Sequence, residues 1–472
     1  ISGLHAYTFT SSSLTIGFTA MNGGSGPGLF AETFDGSSAL VVTDSTVGST
    51  SAEGVLVSSW SAAGGAATFT DCVVSAGGNG MHFEALTGIA ATMTNVAASS
   101  TGAGGFGVYI FTVDTGSAFT LTKVDATSSA SGKGMMLSAV SGSTISIGGT
   151  STAIGAAMGL HATAFTSSSL TVAFTTMTGA SSVALLATGF DGSSSLAVSD
   201  ATMSSTSATA VLVQSWVAAG GTADFTDCVV TSAADHGVHF SMLTGSVVSM
   251  PFVAASATGA VGSGVYIFTV SAASTFSLTN VDAASTNGKG LSADDVSGST
   301  ITTGATSTFV GKTIGLHANA FTSSSLTVAQ STITGNTAQG LLADDFDGSS
   351  ALSISTSTLS STSANGLLVQ NWAASGGTVS VSGCTVTSTS TSALVFTLLS
   401  GVTGTLSNVN ANGAVYATLF DTVTNTAVAV TGSNFVGGSA TQTVMLKDST
   451  GSAVVMSTTS YVYHEILNCN TP

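Results

Sequence analysis

The sequence predicts an all-β fold, a single-stranded parallel β-helix (β-solenoid) of about 18 coils of about 26 residues each. Three observations predict it. The chain repeats itself every 156 residues, two apolar columns recur once per coil, and short apolar-polar alternations stand between turns rich in Ser and Gly. These patterns indicate one continuous solenoid over residues 1–472, with internal repeats at 3–158, 159–314 and 315–472.

The long repeat is visible in three sets of short motifs, each with one member per repeat. The sets are Gly3-Leu4-His5, Gly159-Leu160-His161 and Gly315-Leu316-His317; Phe34-Asp35-Gly36, Phe190-Asp191-Gly192 and Phe346-Asp347-Gly348; and Trp60, Trp216 and Trp372. A period this long must group smaller units, because single solenoid coils are much shorter. We expect six coils in each repeat.

The coil spacing follows from two columns of apolar residues that we expect to face inward. The first is apolar at every coil except Thr303: Ile16, Val42, Phe69, Met93, Leu121, Ile147, Val172, Val198, Phe225, Met250, Leu278, Thr303, Val328, Ile354, Val381, Leu406, Val430 and Met456. The second begins Phe9, Phe34, Trp60, Leu86, Val113, Val140 and Phe165. Each coil is therefore predicted to add one parallel strand to each of two faces, with like residues stacked inside.

The composition limits the classes of partner. The chain has 57 Gly, 3 Pro, 6% charged residues and a formal net charge of −17. All five basic residues are lysines: Lys123, Lys133, Lys289, Lys312 and Lys447. Without arginine, such an acidic chain is a poor match for nucleic acid, anionic lipid or polyanionic substrates. No apolar stretch approaches the ~18 residues of a spanning helix.

The cysteines do not predict a disulfide framework. Cys72, Cys228 and Cys384 occupy the same place in each repeat, too far apart in a stack to bridge one another. We interpret them as buried apolar thiols. Cys469 is the candidate for pairing with another chain.

One coil carries a resemblance to a known superfamily. The segment Leu326 to Leu342, LTVAQSTITGNTAQGLL, combines an alternating strand, a Ser-Thr-Ile step, a Gly-Asn-Thr turn and a Gly before the next strand. Asn95-Val96 and Asn280-Val281 fit the same step. These features resemble the pectin-lyase-like superfamily of right-handed parallel β-helix repeats, which includes polysaccharide-active enzymes, tailspikes and surface adhesins. The resemblance implies a right-handed coil and favours the surface or adhesin type.

An acidic column is the candidate catalytic site. Asp294 and Asp295, Asn319 one coil later, and Asp344 and Asp345 two coils later fall at matching positions. Two coils place matching carboxylates roughly 9 to 10 Å apart, near the separation in inverting glycosidases. Enzymes of the resembled superfamily that act on pectin add a basic clamp and often a Gly-His-Gly step. Here arginine is absent, and Asp235-His236-Gly237 on another coil is the nearest equivalent, so an enzyme is the less favoured interpretation.

The same acids have two further interpretations. A calcium ion at Asp344, Asp345 and Asp347 is one, because hard cations favour clustered carboxylates. The other is that these are turn and strand-edge residues that keep a weakly charged surface soluble. The Asp-Gly turns at Asp35, Asp191 and Asp347 are typical of turn chemistry.

The histidines do not predict a shared metal site. Those that open each repeat stand six coils apart, about 29 Å, and cannot share a metal. His82 and His239 match each other, but the third repeat has Val395 there, which favours a packing position.

The function favoured by the sequence is that of an extracellular structural protein. We expect a subunit of a surface filament, sheath or appendage, or an adhesin stalk, which self-associates or binds other surface proteins through solenoid ends or faces. One alternative is a glycan-binding or glycan-cleaving β-helix that uses the Asp294 and Asp344 face. The second is an ice-binding solenoid with ordered Ser and Thr hydroxyls. No cofactor is expected beyond the calcium alternative.

Overall fold

The structure, a computed structural model, describes residues 2–35, 37–217, 220–373, 375–438, 444–457, 460–461, 464–466 and 469–470. Side chains are described for the same residues except 62–63 and those after 457. The regular structure within them is all β-strand, in about 17 turns of about 26 residues. The predicted parallel β-solenoid is confirmed. The grouping into three sets of six coils, the single continuous domain and the handedness stay predictions.

The chain divides into two compact units, residues 1–233 and 234–472. The strands of unit 1 are β1 Leu4–Thr10, β2 Ser13–Gly17, β3 Ala20–Gly23, β4 Leu29–Asp35, β5 Ala39–Thr43, β6 Thr46–Ser49, β7 Val55–Ala76, β8 Met81–Ser100, β9 Phe106–Asp114, β10 Ala118–Ser128, β11 Lys133–Ser141, β12 Thr144–Gly148, β13 Thr152–Gly155, β14 Met158–Thr166, β15 Ser169–Ala173, β16 Thr176–Gly179, β17 Leu185–Phe190, β18 Ser195–Ser199, β19 Thr202–Ser205, β20 Val211–Val217, β21 Thr222–Thr226 and β22 Val229–Ser232.

The strands of unit 2 are β23 Val238–Thr244, β24 Val247–Pro251, β25 Ala254–Ala257, β26 Val265–Ser271, β27 Thr275–Thr279, β28 Asp282–Ser285, β29 Leu291–Ser297, β30 Thr300–Gly304, β31 Thr308–Gly311, β32 Leu316–Thr322, β33 Ser325–Ala329, β34 Thr332–Gly335, β35 Leu341–Asp347, β36 Ala351–Ser355, β37 Thr358–Ser361, β38 Leu367–Ala373, β39 Thr378–Ser382, β40 Thr385–Ser388, β41 Leu394–Ser400, β42 Thr403–Ser407, β43 Asn410–Gly413, β44 Thr418–Thr424, β45 Ala427–Thr431, β46 Asn434–Gly437, β47 Val444–Lys447, β48 Ser449–Thr450, β49 Ala453–Ser457, β50 Ser460–Tyr461, β51 His464–Ile466 and β52 Cys469–Asn470.

Each full turn contributes to three parallel sheets rather than the two expected from the sequence. In unit 2 the first sheet pairs β23, β26, β29, β32 and onward, the second β24, β27, β30, β33, and the third β25, β28, β31, β34. The third-sheet strands have only four residues and are rich in Thr, Ser and Gly, as in Thr332–Gly335. Such a segment has the composition of a turn, which is why the sequence does not reveal it as a strand.

The two predicted apolar columns are in register. In unit 2, Val328 pairs with Ile354, then Val381, Leu406 and Val430 in successive second-sheet strands. All five side chains are buried. Parallel pairing with a constant register stacks each apolar residue on its equivalent in the next turn, which builds the core.

Thr303, the polar exception in the column, is fully buried and satisfied. Its hydroxyl lies 3.2 Å from the hydroxyl of Ser331, which also lies 2.8 Å from the carbonyl oxygen of Ala329. A buried hydroxyl needs such a partner, because desolvation without one is costly.

Aromatic stacks reinforce the core beside the first sheet. In unit 2 the rings of Phe321 and Phe346 stack at 4.7 Å and 2°, and Trp372 follows at 4.7 Å from Phe346. The indole lies against Gly377, where an added Cβ would collide with Nε1. Glycine is therefore required beside this tryptophan.

Buried serines line the corner between the first and second sheets. The backbone N–H of Ser299 donates to the Ser324 hydroxyl at 3.1 Å, and the N–H of Ser324 donates to the Ser350 hydroxyl at 3.2 Å. The Ser324 hydroxyl itself donates to the carbonyl oxygen of Val296 at 3.0 Å. The recurring Ser-Ser turns thus satisfy buried polar groups where the strands change direction.

The fifth residue of most first-sheet strands has a left-handed backbone. Asp295, Asp345 and Asn371 have φ values of 57°, 56° and 55°. Asp and Asn tolerate this region better than most residues, because their short polar side chains bond locally. Within the described residues, no helix is long and apolar enough to cross a membrane.

Candidate functional site

In each first-sheet strand one residue lies at the register position of Leu342, and we call the line that these residues form the outer column. Towards the C-terminal part of unit 2 it is leucine-rich. Leu342, Leu368 and Val395 form a buried cluster, against which Ile314 and Leu419 pack. Apolar packing is therefore the usual content of this column.

Four consecutive turns of unit 2 depart from that content. The outer column there holds His239, Tyr266, Ser292 and His317, paired strand to strand, before it returns to Leu342. Further polar side chains surround this part of the column. We call the set the unit 2 cluster, made up of His236, His239, Tyr266, Lys289, Ser292, Asp294 and His317.

Aromatic rings form one side of the unit 2 cluster. The Tyr266 ring lies 4.5 Å from the ring of His236, 4.8 Å from that of His239 and 5.8 Å from that of Phe268. The N–H of Ser263 donates to Nδ1 of His236 at 2.9 Å, which fixes the orientation of that imidazole. Phe268 is 38% exposed, so the ring surface reaches solvent.

A chain of polar contacts forms the other side. Lys289 Nζ donates to the Ser292 hydroxyl at 3.2 Å and lies 2.5 Å from Nδ1 of His317. The Ser292 hydroxyl donates to Oδ2 of Asp294 at 3.0 Å, and Asp294 Oδ1 lies 3.6 Å from His317 Nδ1. Because the ammonium donates to Nδ1, the neutral His317 ring carries its hydrogen on Nε2.

Burial sets the protonation of the unit 2 cluster. It lowers the pKa of His239 and of His317 to about 4, with smaller effects from neighbouring charges. It also lowers the pKa of Lys289, an effect that Asp294 opposes. Burial and the nearby Asp294 carboxylate raise the pKa of Tyr266 to about 12. At neutral pH the rings are thus uncharged hydrogen-bonding groups.

The same departure occurs in unit 1. There the outer column holds His82, Tyr109, Met136 and His161 over four consecutive turns, and returns to leucine at Leu186. We call the corresponding set the unit 1 cluster, made up of His82, Phe106, Tyr109, Lys133, Met136 and His161.

The predicted acidic column is present in part. Asp294, Asn319 and Asp344 pair in successive first-sheet strands, as expected. Asp294 belongs to the unit 2 cluster, whereas Oδ1 of Asp344 accepts a hydrogen bond from Nδ2 of Asn371 at 2.7 Å. Asp295 and Asp345 are exposed residues with a left-handed backbone and do not join the cluster. Catalysis by this pair of carboxylates stays a prediction.

Asp347, the last residue of β35, has a hydrogen-bond partner in the turn one coil earlier. Its Oδ1 accepts the N–H of Ser323 at 3.1 Å, as Asp191 Oδ1 accepts that of Ser167 at 3.0 Å in unit 1. Of the residues described, no three His, Cys, Asp or Glu stand together as a metal site would require. Calcium at Asp344, Asp345 and Asp347 stays a prediction without a ligand set.

The thiols in the described part of the chain are as expected. Cys72, Cys228 and Cys384 are buried and free. Burial raises the pKa of Cys228 to about 11. The side chain of Cys469, the candidate for pairing with another chain, lies outside the described residues.

The second sheet carries the hydroxyl rows on which the ice-binding alternative depends. Ser249, Ser277, Thr302, Thr327, Ser353, Ser380 and Thr405 pair in successive strands of unit 2. The next residue in the row is alanine, so the row ends after seven hydroxyls. Ice binding stays a prediction.

The clusters themselves were missed by the sequence reasoning, which treated the histidines one by one. The pairs Lys133/His161 and Lys289/His317 share a spacing of 28 residues, about one turn, and could have been found from it. The packing interpretation fits Val395, which lies in the leucine-rich stretch. It does not account for His239, whose Nε2 is buried without a hydrogen-bond partner among the described residues.

Comparisons with known proteins give likenesses in fold. No protein-family description and no curated protein matches the chain. A periplasmic alginate epimerase is 10% identical at a TM-score of 0.36, over 74% of this chain and 77% of its own. Vag8 in complex with C1 inhibitor is 12% identical at a TM-score of 0.42, over 96% of this chain and 100% of its own. The A-module of an Azotobacter vinelandii mannuronan C-5 epimerase is 12% identical at a TM-score of 0.30, over 80% of this chain and 91% of its own.

These likenesses are too distant to carry an argument about activity. The fold itself, with parallel strands stacked turn upon turn in each unit, agrees with the expectation from the sequence. In fold, the chain is a parallel β-solenoid.

Proposed function

We propose that the chain is an extracellular glycan-binding protein and that the unit 2 cluster holds a segment of neutral polysaccharide. One observation carries the proposal: four turns of the outer column replace leucine by imidazole, phenol and hydroxyl groups. Packing alone does not require this, because Leu342 and Leu368 fill the same column a few turns later. The polar side chains in these four turns therefore cost free energy of folding, and a bound ligand would offset that cost.

The chemistry of the unit 2 cluster suits a sugar ring. The rings of Tyr266 and Phe268 offer a partly exposed apolar face, and sugar C–H groups stack on such faces. His239 Nε2 is buried without a partner among the described residues, so a ligand hydroxyl would satisfy it. Convergent polar groups beside an apolar surface are the usual composition of a small-ligand site.

The charges favour a neutral ligand. The ammonium of Lys289 is balanced locally by the carboxylate of Asp294, and the imidazoles of His239 and His317 are uncharged at neutral pH. The chain as a whole carries a formal net charge of −17. A polyanion would meet repulsion without a compensating cation in this cluster.

The test compares the wild type with the double variant Tyr266→Leu/His317→Leu on an array of neutral polysaccharides. Leucine is native elsewhere in the same column, so the variant should keep its thermal unfolding midpoint and lose binding by about ten-fold or more. Leu368→Met, in the same column outside the cluster, is the matched control. A wild type that binds no neutral glycan, or a double variant that binds as well as the wild type, would contradict the proposal.

The filament or adhesin-stalk role is the second candidate, favoured by exposed aromatic corners such as those at Phe174 and Phe252. Phe174 and Phe252 have left-handed backbones at φ 50° and 56°, yet their side chains are 58% and 57% exposed. A bulky residue in this region is strained and gains nothing from exposure, so folding does not explain it. Contact with a second copy of the chain or with another surface protein would explain why these aromatic side chains are exposed.

Asn stands at the equivalent corner in another turn, at Asn280. The variants Phe174→Asn and Phe252→Asn should therefore keep or raise the unfolding midpoint while they reduce self-association. Light scattering across a wide concentration range measures the association. A wild type that stays monomeric throughout would remove this second candidate.

A further inference from the structure

Aromatic rings form one side of the unit 1 cluster, as they do in the unit 2 cluster. The rings of His82 and Tyr109 stack at 4.6 Å and 18°, and Phe106 lies 4.8 Å from Tyr109 at 59°. Phe111 lies 5.5 Å from Tyr109. Four rings on neighbouring turns thus form a continuous wall.

A lysine stands beside this wall. Lys133 Nζ lies 2.7 Å from Nδ1 of His161, 3.3 Å from Sδ of Met136 and 5.5 Å from the centre of the Phe106 ring. Burial lowers the pKa of Lys133, and burial together with Lys133 lowers the pKa of His161 to about 4. The imidazole is therefore neutral and accepts from the ammonium.

The two clusters differ at the position of the carboxylate. Asp294 and Ser292 in unit 2 correspond to Ser138 and Met136 in unit 1, each 156 residues earlier. Within the described chain, no carboxylate forms an ion pair with Lys133. The unit 1 cluster thus contains a half-buried positive charge with no local balance.

Two carboxylates lie at the other end of the unit 1 cluster, beside His82. Glu53 Oε1 is 3.8 Å from Nδ1 of His82, and Glu84 Oε2 is 4.0 Å from Nε2. His82 stands two strands before Lys133 in the first sheet. The negative and positive ends of the cluster are therefore separated by the ring of Tyr109.

Several buried polar atoms of this cluster have no hydrogen-bond partner among the described residues. They are Nε2 of His161 and both ring nitrogens of His82, whose carboxylate neighbours at 3.8 and 4.0 Å lie within ion-pair range but beyond hydrogen-bond distance. Unsatisfied buried groups of this kind cost free energy in the unliganded protein, and a ligand with hydroxyl groups would satisfy them.

We propose that the unit 1 cluster is a second glycan site, selective for a sugar that carries an anionic carboxylate or sulfate group. The anionic group lies at Lys133 and His161, and the sugar rings lie along Tyr109 and Phe106. An unbalanced ammonium in a partly desolvated place attracts an anion more strongly than one that a carboxylate already balances. The glycan class rests on the proposed function, whereas the preference for an anion rests on Lys133 and Ser138.

The experiment uses the full chain in the Tyr266→Leu/His317→Leu background, which leaves unit 1 as the remaining cluster. The array presents neutral, carboxylated and sulfated forms of the same polysaccharide backbones. We expect the background protein to bind an anionic form about ten-fold more tightly than the neutral one. The carboxylated and sulfated arms identify which anion is preferred.

Two substitutions test the residues. Lys133→Met should remove the preference, and Ser138→Asp, which installs the carboxylate of unit 2, should do the same. Lys123→Met, at an exposed lysine outside the cluster, is the control and should change nothing. Unfolding midpoints of all variants check the fold.

The inference is overturned if the background protein shows no preference for an anionic glycan, or if Lys133→Met and Ser138→Asp keep it. Loss of neutral-glycan binding by the wild type would count against the proposed function of unit 2 alone. The two failures are therefore distinguishable.

Discussion

Asp294 Oδ1 lies 3.6 Å from Nδ1 of His317, one turn further along the first sheet. The ammonium of Lys289 contacts the same imidazole, so a cation, a neutral ring and an anion meet within two turns. In unit 1 the residue equivalent to Asp294 is Ser138, so the corresponding lysine, Lys133, has no carboxylate there to balance its charge. One residue thus sets the charge of each cluster.

Removal of the Asp294 carboxylate should change the ionisation of Tyr266. Asp294 adds to burial in raising the pKa of that phenol to about 12, so Asp294→Asn should lower the pKa. The measurement is an alkaline absorbance titration of tyrosinate. Asp344→Asn, two turns away in the same column, is the control and should leave the titration unchanged; an unchanged titration in Asp294→Asn would contradict the assignment.

Acid should destabilise the chain through its buried histidines. The folded-state pKa of His239, about 4, lies below the unfolded value of about 6.5, so the unfolded state binds the proton first. The stability from this group is present above pH 6.5 and is lost as pH falls towards 4, by up to roughly 1.4 kcal/mol per pH unit. The charges facing it are those of His236 and Asp235.

The variant His239→Leu should flatten this part of the stability profile. Urea unfolding at pH 7 and pH 5 measures the difference between the wild type and the variant. Leu368→Met should retain the wild-type slope. A variant with the same loss of stability between these pH values would show that His239 does not titrate as described.

The backbone at Asp345 predicts a contrast between two substitutions. Its φ of 56° suits glycine and disfavours a β-branched residue, so Asp345→Val should cost roughly 1–2 kcal/mol, while Asp345→Gly should be close to neutral. Urea unfolding measures both. Neither change should alter glycan binding, because Asp345 lies outside the unit 2 cluster; a loss of binding would return the acidic column to consideration.

Thr303 should tolerate loss of its hydroxyl. In Thr303→Val the partner Ser331 keeps its contact with the Ala329 carbonyl oxygen, so no donor is left unpaired. Valine also matches the apolar residues that stack above and below. We expect a change in the free energy of unfolding within about 1 kcal/mol, measured by urea titration, and a larger loss would indicate that the Thr303 contact is essential.

The core was predictable from the sequence because its apolar residues recur once per coil, at a spacing that the sequence shows directly. Val328 and Ile354 recur one coil apart and their side chains stack as the spacing requires. The third sheet was not predictable, since Thr332–Gly335 has the composition of a turn and becomes a strand only through pairing with its neighbours. Its four residues are too few to show an alternation.

The clusters were harder to predict for a physical reason. Lys289 and His317 are 28 residues apart and meet only because consecutive turns are in register. The acidic column was found correctly as a register, but its members proved unlike: Asp294 contacts the rings, while Asp345 occupies a strained corner. Residue type does not distinguish these two environments, which differ in backbone conformation and in position along the strand.

The leucine-rich stretch of the outer column, from Leu342 to Val395, has a consequence for how such a protein can change. Each turn contributes one side chain to that line, so a binding surface can be added or erased by single substitutions, one turn at a time, without alteration of the turns beyond. Stability in stacked repeats is approximately a sum of local contributions. In a solenoid of this kind each turn offers one position that can either bind a ligand or pack against its neighbours, and the turns with leucine are those that only pack.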